Sequence, residues 1–347
     1  MIKANYSKYI LNFKQPSGTS RGIMTTKETW FIQLLEDNKT GVGEFGILRG
    51  LSIDDTTDYE SKLKWTCENI TLGLDTLITE LIEYPSIQFG LEMAFKSLKS
   101  DNPFLLYPSA FTKGFDNIPI NGLVWMGDEA FMRKQVKEKI EAGFDCIKLK
   151  IGALNFQTEL AILKSIRKEF SINDIELRVD ANGAFSSDEA LEKLKYLSDY
   201  QLHSIEQPIK PQQHESMARL CELTPLPIAL DEELIGIFYL EGKQNVLKTI
   251  KPQYIILKPS LVGGFCGSQE WIDLAENQNI KWWITSALES NVGLNAIAQW
   301  TYTLKNMLPQ GLGTGSLYTN NFDSPLTVKS GTLHYDLTQH WKFNLQP

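Results

Sequence analysis

Short apolar runs that each stop at a charged residue recur through the middle of the chain. IKLKIG (147–152) carries Lys148 and Lys150, LRVDANG ends near Asp180, and SIEQP contains Glu206. PIALDEE contains Asp231 and YIILKPS contains Lys258. From Lys150 to Lys258 these charges are spaced by 30, 26, 25 and 27 residues. One strand plus one returning helix has that length, which is the repeat of a parallel α/β structure. The segments between the runs change period: 155–170 and 186–197 repeat apolar residues every three or four positions, with Ser187 as an N-cap. Near-continuous apolar runs suit strands covered on both faces. Serial strand–helix units predict a (β/α) barrel, where charged residues at the carboxyl ends of strands read as catalytic.

The flanks follow other rules. Residues 3–13, 28–36 and 39–45 read as strands of an antiparallel meander, the first two separated by the loop QPSGTSRG with Arg21 in it. Residues 56–82 and 86–99 read as helices, with Ile87, Leu91 and Ala94 or Phe95 on one face. This makes an α+β domain over 1–110. Residues 118–127 are the first barrel strand, and Asp128 caps the helix after it. Residues 280–290 and 310–318 are strands seven and eight, so eight strands fill a barrel domain over 111–319. A hairpin at 326–336 lies in the segment 320–347, which is expected to pack back on the first domain.

With 347 residues, two domains are the prior, and 42% hydrophobic with 22% charged residues is the make-up of a soluble globular protein. A net charge of −8 gives no basic footprint for nucleic acid or an anionic membrane. No apolar run approaches the length of a transmembrane helix, and MIKANYSKYILNF has no signal-peptide core, so a cytoplasmic protein is expected. Cys67, Cys146, Cys221 and Cys266 are scattered, and His203, His214, His334 and His340 form no ligand spacing. Nothing in the sequence sets the oligomeric state, and a homo-oligomer stays open.

Side chains two apart on a strand point the same way, so Lys148 and Lys150 both face the barrel interior. Strands two and six of an eight-stranded barrel lie opposite each other, which sets Lys150 against Lys258. Asp180, Glu206 and Asp231, ending strands three to five, form one acidic arc suited to a hard divalent ion such as Mg²⁺, for which Mn²⁺ could substitute. Metal and lysines together suit removal of a proton α to a carboxylate, on a small-molecule carboxylate substrate. A lysine near pKa 10.4 is a weak base at neutral pH, and neighbouring cations, here Lys148 and the metal, lower it. A single charged residue at a strand end is often only salt-bridged. Five on five consecutive units are hard to reach by accident, although Glu232 and Glu233 leave open which acids of that triplet meet the metal.

These residues resemble the enolase superfamily and its muconate-lactonizing-enzyme subgroup. Lys148-Leu-Lys150, Asp180 in VDANG, Glu206 in IEQP, Asp231 in LDEE and Lys258 in LKPS match the subgroup pattern one by one. The resemblance implies a modified TIM (β/α) barrel with an α+β capping domain built from the N-terminal part and the C-terminal tail. Within the subgroup, INGLVWMG, TSALESNVGL and QGLGTGSLYTNNFDSPL are similar to the o-succinylbenzoate synthases of menaquinone biosynthesis. That likeness implies dehydration of 2-succinyl-6-hydroxy-2,4-cyclohexadiene-1-carboxylate. Lys150 would be base and then acid, Lys258 would stabilise the enolate, and Lys148 would polarise the carboxylate and Lys150.

Candidates for the rest of the substrate are Ser286 and Ser290, the N–H groups of Gly313 and Gly315, Trp125 against the ring, and Arg21 on the capping loop. Each has an ordinary alternative as turn, core or solvated residue. N-acylamino acid racemases and dipeptide epimerases share the lysine pair, though GLGTGSLY lacks the acid that dipeptide epimerases usually place there. Muconate cycloisomerisation is favoured by no residue, and a non-catalytic barrel would be expected to lose a lysine or carboxylate.

Overall fold

A computed structural model describes residues 1–19 and 22–344. The N-terminal meander is β1 (Lys3–Thr19), β2 (Gly22–Glu36) and β3 (Lys39–Phe45), paired antiparallel in that order. The hairpin is longer than its sequence suggests. β1 and β2 pair out to Thr19 and Gly22, past a register shift between Asn12 and Ser17 that absorbs the irregular QPS stretch.

Four helical pieces cover this sheet: α1 (Tyr59–Glu68), a 3₁₀ turn at Ile70–Leu72, α2 (Leu74–Glu80) and α3 (Pro85–Leu98). The single helix expected over 56–82 is broken at Gly73, whose φ of 82° lies outside the helical region. In α3, Ile87, Leu91 and Ala94 are fully buried against the sheet. Contact is closest where Gly90 meets Gly43 of β3: a Cβ on Gly43 would sit 2.0 Å from the Gly90 carbonyl oxygen. Backbone cannot yield as a flexible side chain can. Gly43→Ala is therefore expected to destabilise the fold by about 1–3 kcal/mol, read as a lowered midpoint in urea.

The repeating region follows as β4 (Asn117–Pro119), β5 (Gly122–Val124), α4 (Glu129–Glu141), β6 (Cys146–Lys150), α5 (Phe156–Glu169), β7 (Glu176–Asp180) and α6 (Ser187–Ser198). It continues as β8 (Ser204–Glu206), α7 (His214–Leu223), β9 (Ile228–Leu230), α8 (Leu240–Ile250), β10 (Tyr254–Leu257), α9 (Gly264–Glu276), β11 (Lys281–Ile284) and α10 (Asn291–Thr303). Asp128 caps α4 by accepting from the Phe131 N–H, as expected. The cap of α6 is Ser186 rather than Ser187, because Glu189 completes a capping box with it.

Strands β5 to β11 form one parallel sheet in sequence order. The eighth strand expected at 310–318 is not a regular strand. Gln310 and Gly311 make single parallel bridges, to Ile120 on one side and Thr285 on the other. Their backbones still bond to both neighbours, the Gln310 N–H to Pro119 and the Gly311 N–H to Ile284, each at 2.8 Å. The Gln310 side chain itself accepts from the Ile284 N–H at 2.7 Å, and Thr285 packs so tightly on Gly311 that a Cβ there would lie 2.4 Å from its hydroxyl.

The hairpin β12 (Leu326–Lys329) and β13 (Thr332–Tyr335) adds to β4, with Leu333 opposite Ile118, rather than to the N-terminal sheet. β4 lies outside the parallel sheet, so its edge can take an antiparallel partner. Residues flanking the hairpin reach the meander: the rings of Phe322 and Phe343 lie 5.2 and 5.4 Å from that of Phe31 on β2. Among the described residues no helix is long and apolar enough to cross a membrane.

Candidate active site

Alternation along β6, β7 and β8 sorts the side chains. Ile147, Leu149, Leu177 and Val179 join the core under the helices. Their neighbours Lys148, Lys150, Asp180 and Glu206 turn the other way. Parallel register sets Lys150 beside Asp180 and Asp180 beside Glu206. Asp231 and Lys258 follow β9 and β10 directly, each opening a 3₁₀ turn. All five segments thus deliver a charged side chain to one end of the sheet.

Asp180, Glu206 and Asp231 are 1%, 0% and 3% exposed, and one oxygen of each lies within 4.8 Å of the others. The lysines are arranged around them. Lys148 Nζ donates to Glu206 at 2.6 Å and to Asp180 at 3.3 Å. Lys150 Nζ donates to Asp180 at 2.8 Å and to the Asn182 carbonyl at 2.6 Å. Lys258 Nζ donates to both oxygens of Asp231, at 2.5 and 2.8 Å.

Burial alone would neutralise these groups. For Lys148, Glu206 and Asp180 outweigh burial and hold the ammonium charged; Asp231 does the same for Lys258. At Asp180 burial is likewise overcome, by Lys150 and Lys148, and its carboxyl is held well below the usual range. Glu206 goes the other way. Burial, with Asp180 and Asp231 close by and only partly offset by Lys148, pushes its carboxyl up. Its Oε1 is buried without a hydrogen-bond partner among the described residues. Crowded carboxylates with an unsatisfied oxygen fit a hard divalent cation with oxygen ligands.

A supporting layer fixes this arrangement. Asn182 bridges two of the elements, accepting from Lys150 and donating to Glu232 at 2.9 Å. The Gln207 side-chain carbonyl accepts from the N–H groups of Asp231 and Glu233, while its amide donates to the Glu233 carboxylate at 2.9 Å. The ends of β8 and β9 are tied by that one side chain. Within the acidic triplet, Asp231 joins the three-carboxylate cluster, whereas Glu232 and Glu233 hold Asn182 and Gln207. Sequence reading took only Asp180 from VDANG and only Glu206 from IEQP, so Asn182 and Gln207 were missed. Their amides sit two and one residues beyond a charged strand end, which was the available signal. Asn182→Ala is expected to lower kcat about 10- to 100-fold with KM nearly unchanged, as loss of an orienting neighbour does; steady-state kinetics with matched melting curves checks it.

Lys148, Lys150, Asp180 and Lys258 all line one cavity of about 140 Å³. Met24, Leu48, Arg49 and Leu51 from the N-terminal part close it on one side. Of the substrate candidates, Trp125, Ser286 and Gly313 also line it, with the Ser286 hydroxyl 2.6 Å from that of Thr314. Ser290 and Gly315 are not among the described lining residues. Ser290 is the N-cap of α10 and bonds to Glu44, and Gly315 packs on Asn291, where a Cβ would lie 2.7 Å from the amide oxygen. Arg21 lies outside the described residues. Arg49, unnoticed in the sequence, is a guanidinium on the cavity wall held by Glu28 and Asp55.

The family described as "Enolase C-terminal domain-like" matches residues 131–338, and "MenC, N-terminal domain" matches residues 1–98. The o-succinylbenzoate synthase of Desulfotalea psychrophila is 45% identical over 96% of this chain and 98% of its own length. The crystal structure of MenC from the same organism superposes with a TM-score of 0.86 at 42% identity, covering 96% of this chain and 99% of that one. The L-Ala-D/L-Glu epimerase of Bacillus subtilis matches with a TM-score of 0.82 over 96% and 95% of the two chains. Its 20% identity speaks to the fold alone.

Proposed function

We propose a reaction course from one premise: the chain belongs to the o-succinylbenzoate synthase family of the enolase superfamily. The activity is that of a hydro-lyase, converting 2-succinyl-6-hydroxy-2,4-cyclohexadiene-1-carboxylate to o-succinylbenzoate and water. The observation that carries the course is the shared cavity, lined by Lys148, Lys150 and Lys258 beside a carboxylate cluster.

Lys150, once neutral, takes the proton from ring carbon 1, next to the carboxylate. The electron pair left behind spreads into that carboxylate as an enediolate, which the Lys258 ammonium stabilises by charge. The C6–O bond then breaks, the ring becomes aromatic, and Lys150 returns its proton to the departing hydroxyl. One lysine serves both transfers because both groups leave from one face. Lys148 orients the substrate carboxylate and keeps positive charge beside Lys150. Asp180, Glu206 and Asp231 would hold Mg²⁺, or Mn²⁺ in its place, which when bound supplies further positive charge to the substrate carboxylate.

Lysines at two positions around the cavity also suit proton exchange on an N-acylamino acid, the second reading. A dipeptide substrate is disfavoured, since the cavity wall from Gly311 to Leu317 offers glycines, Thr314 and Ser316 but no acid for an ammonium group. The test is product identity. Incubation with the cyclohexadiene and Mg²⁺ is expected to yield the aromatic proton signals and mass of o-succinylbenzoate. A folded, Mg²⁺-loaded sample that leaves the diene intact yet exchanges the α-proton of N-succinylamino acids in D₂O would replace the first reading with the second.

A further inference from the structure

A second buried charged cluster lies behind the cavity, and the dehydration makes no use of it. Lys27 on β2, Glu44 on β3 and Glu289 in the turn before α10 are 4%, 0% and 0% exposed. Glu44 is fully engaged. It accepts from the Thr29 hydroxyl at 2.9 Å, from the Ser290 N–H and hydroxyl at 2.9 and 2.5 Å, and from the Gly293 N–H at 2.8 Å. A strand of the N-terminal sheet thereby caps a helix of the barrel. One oxygen of Glu289 accepts from the Ser260 hydroxyl at 2.5 Å. Its other oxygen and the Lys27 ammonium are both buried with no hydrogen-bond partner among the described residues.

The three groups converge on Gly46. A Cβ there would lie 3.3 Å from Glu289 Cγ, 3.6 Å from Lys27 Nζ and 3.9 Å from Glu44 Oε1. Lys27 therefore faces one carboxylate from each side of the interface, and without them a buried ammonium would be strongly disfavoured. Each member is also a short step from the cavity. Met24 precedes Lys27 on β2, Leu48 follows Gly46, Leu288 precedes Glu289, and Ser260 lies two residues beyond Lys258.

We propose that Lys27, with Glu289 as its counter-charge, is a positioning residue that seats the Met24 and Leu48–Leu51 roof over the cavity. No hydrogen bond joins the two groups, so the pair acts through charge and aligns the two sides without locking them. The kinetic part of this inference rests on the dehydration assigned above.

The test compares Lys27→Met, Glu289→Gln and the double variant. Lys27→Met is expected to raise KM about tenfold or more while kcat changes less than about threefold, because the roof binds substrate and the chemistry lies elsewhere. The double variant, with neither charge, is expected to recover most of that loss. Amide exchange reads the same idea without turnover: Lys27→Met should speed exchange at Leu48–Leu51 and leave β7 to β9 unchanged. Should Lys27→Met not fold, Glu289→Gln carries the same measurements. A lowered melting temperature with unchanged KM and unchanged exchange would reduce the cluster to ordinary structure and overturn the proposal. Localised exchange in a protein that does not dehydrate the cyclohexadiene would sink the assigned reaction and leave the positioning role standing.

Discussion

Lys150→Ala is expected to lower kcat for the dehydration by about 10⁴-fold or more. General acid–base catalysis by one group contributes about 10²- to 10⁴-fold, and in the proposed course one amino group both takes the proton and, as the ammonium, protonates the departing hydroxyl. The fold should survive. Lys148 still donates to Asp180, whose other oxygen accepts from the Asn182 N–H at 3.0 Å, so that carboxylate is not stranded. Rates at saturating substrate and Mg²⁺, with melting curves alongside, give the answer; activity within tenfold of the unaltered protein would remove Lys150 from its role.

Glu206→Gln should also be severe, for a different reason. Glu206 is the middle carboxylate of the arc and is held at 2.6 Å by Lys148. The amide has the same shape but no charge. It would weaken the cation site and leave the buried Lys148 ammonium with Asp180 at 3.3 Å as its hydrogen-bonded carboxylate. Mg²⁺ affinity is expected to fall about 100-fold or more, at or beyond the upper end of what loss of a ligand's supporting neighbour costs, with kcat/KM falling at least as far. Calorimetric titration with Mg²⁺ separates the two effects: unchanged affinity with lost activity would mean that Glu206 does not hold the ion.

The charged constellation was legible because a parallel strand covered on both faces has little reason to end in a charge. Asp180, Glu206, Asp231 and Lys258 each stop an apolar run, and Lys148 and Lys150 interrupt one at spacing two. Such a pattern is local and survives translation into structure. What sequence hid depends on partners distant along the chain. The eighth strand shrinks to the bridges at Gln310 and Gly311, whose partners Ile120 and Thr285 lie far away along the chain. Ser290 looked like a cavity hydroxyl until Glu44, 246 residues away, claimed it. The helical break at Gly73 was local, but a lone glycine inside a periodic segment is often tolerated, so the period outweighed it. Asn182 and Gln207 are neutral amides, whose importance shows only through the lysine and backbone groups they touch.

The central claim is that this site dehydrates the cyclohexadiene with a divalent cation on its three carboxylates. A single time course of diene absorbance tests it most directly, run with Mg²⁺, then with excess chelator, then with Mg²⁺ restored. Absorbance should fall at first, halt under chelation and fall again on restoration, with o-succinylbenzoate as the product throughout. Undiminished turnover in excess chelator, or no loss of diene from the Mg²⁺-loaded protein, would contradict it.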